Sequence, residues 1–119
     1  MSVPSDADPA IAPFKLVETR PGSHSLLLTT FDPADEVFER YELEGGGYAW
    51  EAVARHVVEN DASELDDRVG FDPEASMFCA YGEDREALYQ LGTRLAALFH
   101  DATRLAAIIE SIGPDGFDD

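Results

Sequence analysis

Apolar positions follow two periods along this chain, one of two residues and one near 3.6. The shorter period comes first. Phe14-Lys15-Leu16-Val17-Glu18-Thr19 alternates, with Phe14 and Leu16 on one side and Lys15 on the other, as a strand does. His24 to Phe31 is a second strand-like run, richest in β-favouring residues near its end. Arg20-Pro21-Gly22-Ser23 between them carries turn chemistry, so the two runs predict a β-hairpin. A second hairpin is predicted around Phe71 to Gly82. Val69 and Phe71 belong to its first strand, and Met77-Phe78-Cys79-Ala80-Tyr81 reads as a strand covered at least partly on both faces. Asp72 can bond the backbone two residues on and Pro73 presets φ for a tight turn, which places the turn within Phe71 to Ala75. The second strand of this hairpin is expected at the centre of a sheet.

The longer period fills the rest. Asp32-Pro33-Ala34-Asp35-Glu36 reads as a helix start with Asp32 as N-cap and Pro33 at the first position. Val37, Phe38 and Tyr41 supply its inward face to about Leu43, and Gly45-Gly46-Gly47 ends it. A second helix is predicted to about Asn60, with Trp50, Val53, Ala54, Val57 and Val58 on one face and Glu51, Arg55 and Glu59 on the other. Asp84 caps a long helix whose apolar face is Ala87, Leu88, Leu91, Leu95, Leu98 and Phe99. Asp101 either caps a further helix or marks a kink, and Leu105, Ile108, Ile109 and Ile112 continue the pattern to Gly113-Pro114.

The order is therefore ββααββαα. Short hairpin connections favour antiparallel strands, so the fold class is α+β: a small antiparallel sheet of about four strands with helices packed on one face. At 119 residues the chain is one domain with room for a real core. Pro4, Pro9 and Pro13 make residues 1–13 an extended leader, residues 14–112 are the domain, and 113–119 form an acidic tail.

Charge changes the picture most. Twenty-five acidic residues against eight basic ones give a formal charge of −17, which disfavours nucleic acid and anionic membranes as partners and favours basic proteins. Lys15 is the single lysine, so part of the acidity can reflect the organism. One cysteine, Cys79, excludes an intramolecular disulfide and fits a reducing cytoplasm. Met1 to Ala12 has neither a basic start nor an apolar run, so no signal peptide or membrane span is expected.

Candidate chemistry is thin. His24, His56 and His100 have no partners at metal-ligand spacing, and Cys79 lies in an apolar strand rather than beside a base. Gly45-Gly46-Gly47 lacks the phosphate-loop pattern and its lysine. Carboxylate pairs abound, but pairs arise by chance among so many acids. No cofactor or metal is expected. Recognition remains: Glu42 and Glu44 flank the glycines, while Asp66, Asp67, Asp72 and Glu74 precede and form the turn of the second hairpin. Acids on loops held by a rigid scaffold suit a cationic partner, where charge contributes speed and specificity.

Two segments together resemble the signature of the immunity protein 51 family. They are Glu44-Gly45-Gly46-Gly47-Tyr48-Ala49-Trp50-Glu51 and, about twenty residues later, Phe71-Asp72-Pro73-Glu74-Ala75-Ser76-Met77-Phe78-Cys79-Ala80-Tyr81. The similarity spans roughly residues 14–112, with Gly46 and Ala49 replacing the polar residues of the pattern. The resemblance implies a cytoplasmic bacterial antidote of a polymorphic-toxin system. Such a protein is no enzyme; it binds a cognate toxin domain, for which a basic nuclease would be the electrostatic match. The motif residues Gly45, Gly47, Tyr48, Trp50, Phe71, Pro73, Met77, Phe78, Cys79 and Tyr81 are expected to be mainly structural, with Trp50, Met77, Phe78 and Cys79 in the core rather than the interface. Two rivals stand beside this reading: an adaptor or regulatory module for another basic partner, and a small hydrolase using histidine and carboxylates.

Overall fold

Leu16, Leu26 and Leu28 need one common apolar surface, and the first hairpin supplies it. In the computed structural model, which describes residues 10–32 and 34–113, β1 (Lys15–Arg20) and β2 (Ser23–Leu28) pair antiparallel with Leu16 opposite Leu26. Gly22 turns the chain between them at a φ of 82°. The second hairpin is β3 (Gly70–Phe71) and β4 (Phe78–Gly82), and the sheet runs β1-β2-β4-β3. The apolar strand β4 is thus internal, as its composition predicts, with Leu26 opposite Ala80 on one side and Phe71 opposite Ala80 on the other.

Helices α1 (Asp35–Glu39), α2 (Gly47–Asp61), α3 (Arg85–Phe99) and α4 (Ala102–Ile112) complete the ββααββαα order. Asp84 and Asp101 both act as N-caps, accepting from the N–H groups of Ala87 at 3.1 Å and Arg104 at 3.2 Å, so Asp101 opens a separate helix. Trp50 is fully buried at the centre of an aromatic cluster. Phe14 meets its edge at 5.6 Å, Phe38 at 5.9 Å, and Phe99 stacks on it at 5.9 Å. Phe78 and Ala80 of β4 face this core with Leu16, Leu26 and Leu28. The fold class is the expected one: a four-stranded antiparallel sheet with four helices.

Local boundaries differ from the sequence reading, each for a physical reason. β2 stops at Leu28 rather than Phe31, because Leu28 already faces Phe78, the first residue of β4, and the Phe31 carbonyl accepts from Asp35 instead. α1 has Ala34, not Asp32, at its N-cap, and no side chain caps it; Pro33 lies outside the described residues. Its end is set before the glycines. Glu42 takes a φ of 59°, its N–H donates to Glu39 O, and the Leu43 N–H donates to Phe38 O, which is a Schellman stop with Glu42 in the left-handed position. The tight turn of the second hairpin lies at Ala75-Ser76, closed by reciprocal Glu74–Met77 backbone bonds of 2.8 and 3.1 Å. Asp72 and Pro73 lie between β3 and this turn, with the Asp72 N–H donating to Cys79 O at 3.0 Å. Of the expected leader, residues 1–9 lie outside the described residues, while Ile11 is fully buried against Gly92 and His100 Nε2 sits 2.9 Å from Ala12 O. The acidic tail from Pro114 onward also lies outside them. Among the described residues no helix is long and apolar enough to cross a membrane.

Candidate functional site

The triple glycine and the second hairpin, distant in sequence, meet backbone to backbone. The Gly47 N–H donates to Ala75 O at 3.2 Å. Gly46, at a φ of 105°, lies so near that a Cβ would stand 2.5 Å from Ala75 O, and a Cβ on Gly47 would overlap both Glu74 O and Met77 O. Only glycine allows this approach, and the reward is that the first turn of α2 braces the hairpin tip. Gly45 has a different neighbour, the Asp35 carboxylate, which a Cβ there would strike. One oxygen of Asp35 is buried without a hydrogen-bond partner. Burial first, then Asp32 and Glu39, raise its carboxyl above the ordinary range.

The six acids expected to bind a partner are all exposed, and they come from three loops. Glu42 and Glu44 lie in the α1–α2 connection, which the glycines bring against the tip carrying Glu74. Asp66 follows the 3-10 turn Ser63–Leu65 and lines a depression with Arg55, Glu59 and Phe71, beside α2. Asp67 lines another with Gly70, Tyr81 and Glu83, and Asp72 a third with Ser25, Cys79 and Tyr81. Asp66 thus lines a depression beside α2, whereas Asp67 and Asp72 each line one that includes Tyr81 and Glu83. Among the described residues, Tyr48 and Tyr81 are the large apolar side chains left exposed, at 52% and 48%.

The motif side chains split by face. Trp50 and Phe78 belong to the core, as expected. Cys79 is buried as well, but alternation along β4 places it on the outer face of the sheet, outside the cluster beneath the helices; Met77, just before β4, is only half-buried. Burial pushes the Cys79 thiol up, a bond with Ser25 opposes this, and Asp72 adds to it, so the sulfur stays a thiol at neutral pH and is a poor nucleophile. His24, His56 and His100 sit on β2, on α2 and at the end of α3. Among the described residues no group of three or more His, Cys, Asp or Glu side chains could hold a metal ion.

Sequence reasoning passed over Gly70 and Glu83, which frame Tyr81. Their place follows from the pairing of Gly70 with Tyr81, a register that residue types alone do not announce.

No curated protein and no solved structure gives a significant match to the chain. A family model does match, over residues 14–114 of 119. That span includes both motif segments and every strand and helix from β1 to α4, and on it the chain belongs to the immunity protein 51 family.

Proposed function

We propose that this protein binds a cognate bacterial toxin domain in the cytoplasm and neutralises it by direct protein–protein contact. The observation that carries the reading is the family match, which spans the whole folded domain rather than one motif. The charge of −17 and the exposed acids on three loops favour a toxin with a basic contact surface, such as a nuclease domain. Glu42, Glu44, Asp66, Asp67, Asp72 and Glu74 steer the encounter. Because they occupy separate loops, their effect is a summed field rather than one socket.

The test is co-expression with the toxin domain encoded beside this chain. Cells survive the toxin only when this protein accompanies it, and the two purify as a stoichiometric complex. Charge reversal at Asp66, Asp67, Asp72 and Glu74 together slows association at low salt by about tenfold or more. Continued killing in the presence of abundant folded protein contradicts the reading. A harmless neighbouring frame directs attention to the adaptor alternative.

A further inference from the structure

We propose that the partner docks on the uncovered face of the sheet, with Tyr81 as the anchor for a cationic side chain of the toxin; this rests on the immunity role proposed above. The helices cover only one face. α3 packs on β1, β2 and β4, and α2 on β4. Alternation and register turn Val17, Leu27, Met77, Cys79 and Tyr81 to the other side, where the described residues place no second layer. Among these, Cys79 is buried by its neighbours on the face, Val17, Leu27 and Met77 are half-buried, and Tyr81 is 48% exposed.

The setting of Tyr81 is specific. Its ring lies over Gly70, where even a Cβ would stand 2.6 Å from the ring, so the β3 backbone supports the ring from one side. Depressions flank it on both sides, and Glu83 lines both. Asp72 and Arg20 also line one, and Asp67, Asp84 and Arg68 the other. Among the described residues, these three acids make no ion pair; Asp84 is already bound to Arg68 at 3.1 Å. Of the cations on these walls, Arg68 is the one bound to Asp84, which leaves Arg20, on the edge strand β1, against Asp72 and Glu83. A supported aromatic face flanked by more carboxylates than cations fits an arginine or lysine side chain, which can stack on the ring while its charge is met at the edges. Tyrosine is also a favoured interface anchor, since it adds large contact area with little conformational freedom to lose. The depression between α2, α3 and α4 suits such a partner less, with Arg94 and Arg104 on its walls against the single acid Asp61.

The experiment measures binding of the purified toxin domain to the full chain and to three variants. Tyr81→Ala weakens the complex by about tenfold or more, as loss of an interface anchor does. Tyr81→Phe, which keeps the ring, leaves it within about threefold. Glu83→Lys, at an exposed position that makes no hydrogen bond, slows association and lessens its salt dependence. If the toxin binds and Tyr81→Ala and Glu83→Lys both leave affinity and rate within about twofold, this docking site is wrong and the immunity role stands. If the unmodified protein binds no toxin, both readings fall. Sedimentation of the isolated chain examines the competing occupant: a dimer dispersed by Tyr81→Ala would assign the face to self-association and overturn the proposal.

Discussion

At the scale of single residues, the backbone is set by close approaches. Gly47 and Gly22 make a controlled pair. A Cβ at Gly47 meets the Glu74 and Met77 carbonyls, whereas at Gly22 it meets nothing within 4 Å and only the φ of 82° resists. Gly22→Ala should cost about 1 kcal/mol and Gly47→Ala about 3 kcal/mol or more, read as thermal shifts that differ severalfold. Glu42 holds a left-handed conformation that glycine adopts freely, so Glu42→Gly should raise stability by about 1 kcal/mol. If Glu42 also steers the partner, the same variant slows association while it stabilises the fold, a trade typical of strain kept at a functional position. Asp35 gives the pH prediction. Its folded-state pKa is raised, so the folded chain holds that proton more tightly than the unfolded one. The contribution to stability is therefore complete below the ordinary carboxylate range and lost as the pH rises through the raised value. Asp35→Asn should stabilise at neutral pH, by less than ~1 kcal/mol for a partly exposed and screened group, and should have no effect near about pH 3. Melting curves at the two pH values read this directly.

At the scale of elements, what could be read from the sequence was whatever depends on a local period or a local cap. The internal position of β4 followed from its run of Phe78, Cys79 and Ala80, and both Asp84 and Asp101 sit where capping chemistry places them. Asp101→Ala should cost about 1 kcal/mol, near 4 °C in melting temperature. Asp84→Ala should cost up to ~1 kcal/mol more, because Asp84 also holds Arg68 across an exposed ion pair. The turn of the second hairpin was not legible, for a physical reason. Its position depends on the pairing of Phe71 with Ala80 and on the glycines that dock on the tip, both of them long-range. Pro73 is compatible with an edge strand because the flanking Asp72 and Glu74 N–H groups are the ones that bond, to Cys79 O and Met77 O. The same limit applies to the candidate site. Loop acids can be named from sequence, but only the register places Asp67, Asp72 and Glu83 around Tyr81 and sends Asp66 toward α2.

At the scale of the whole molecule, the division of labour is between faces. One face of the sheet buries Leu16, Leu26, Phe78 and Ala80 beneath the helices, and the other stays open beside a surface charged to −17 overall. Such a field acts over about 8 Å at physiological salt and is screened beyond that. Association with a basic toxin should therefore slow steeply as salt is raised, while dissociation changes far less. The most direct measurement is a titration of the isolated toxin domain with this protein, following complex formation and toxin activity in the same samples. Toxin activity should disappear in step with a saturating complex of fixed stoichiometry. A toxin that stays fully active in the presence of excess folded protein would contradict it.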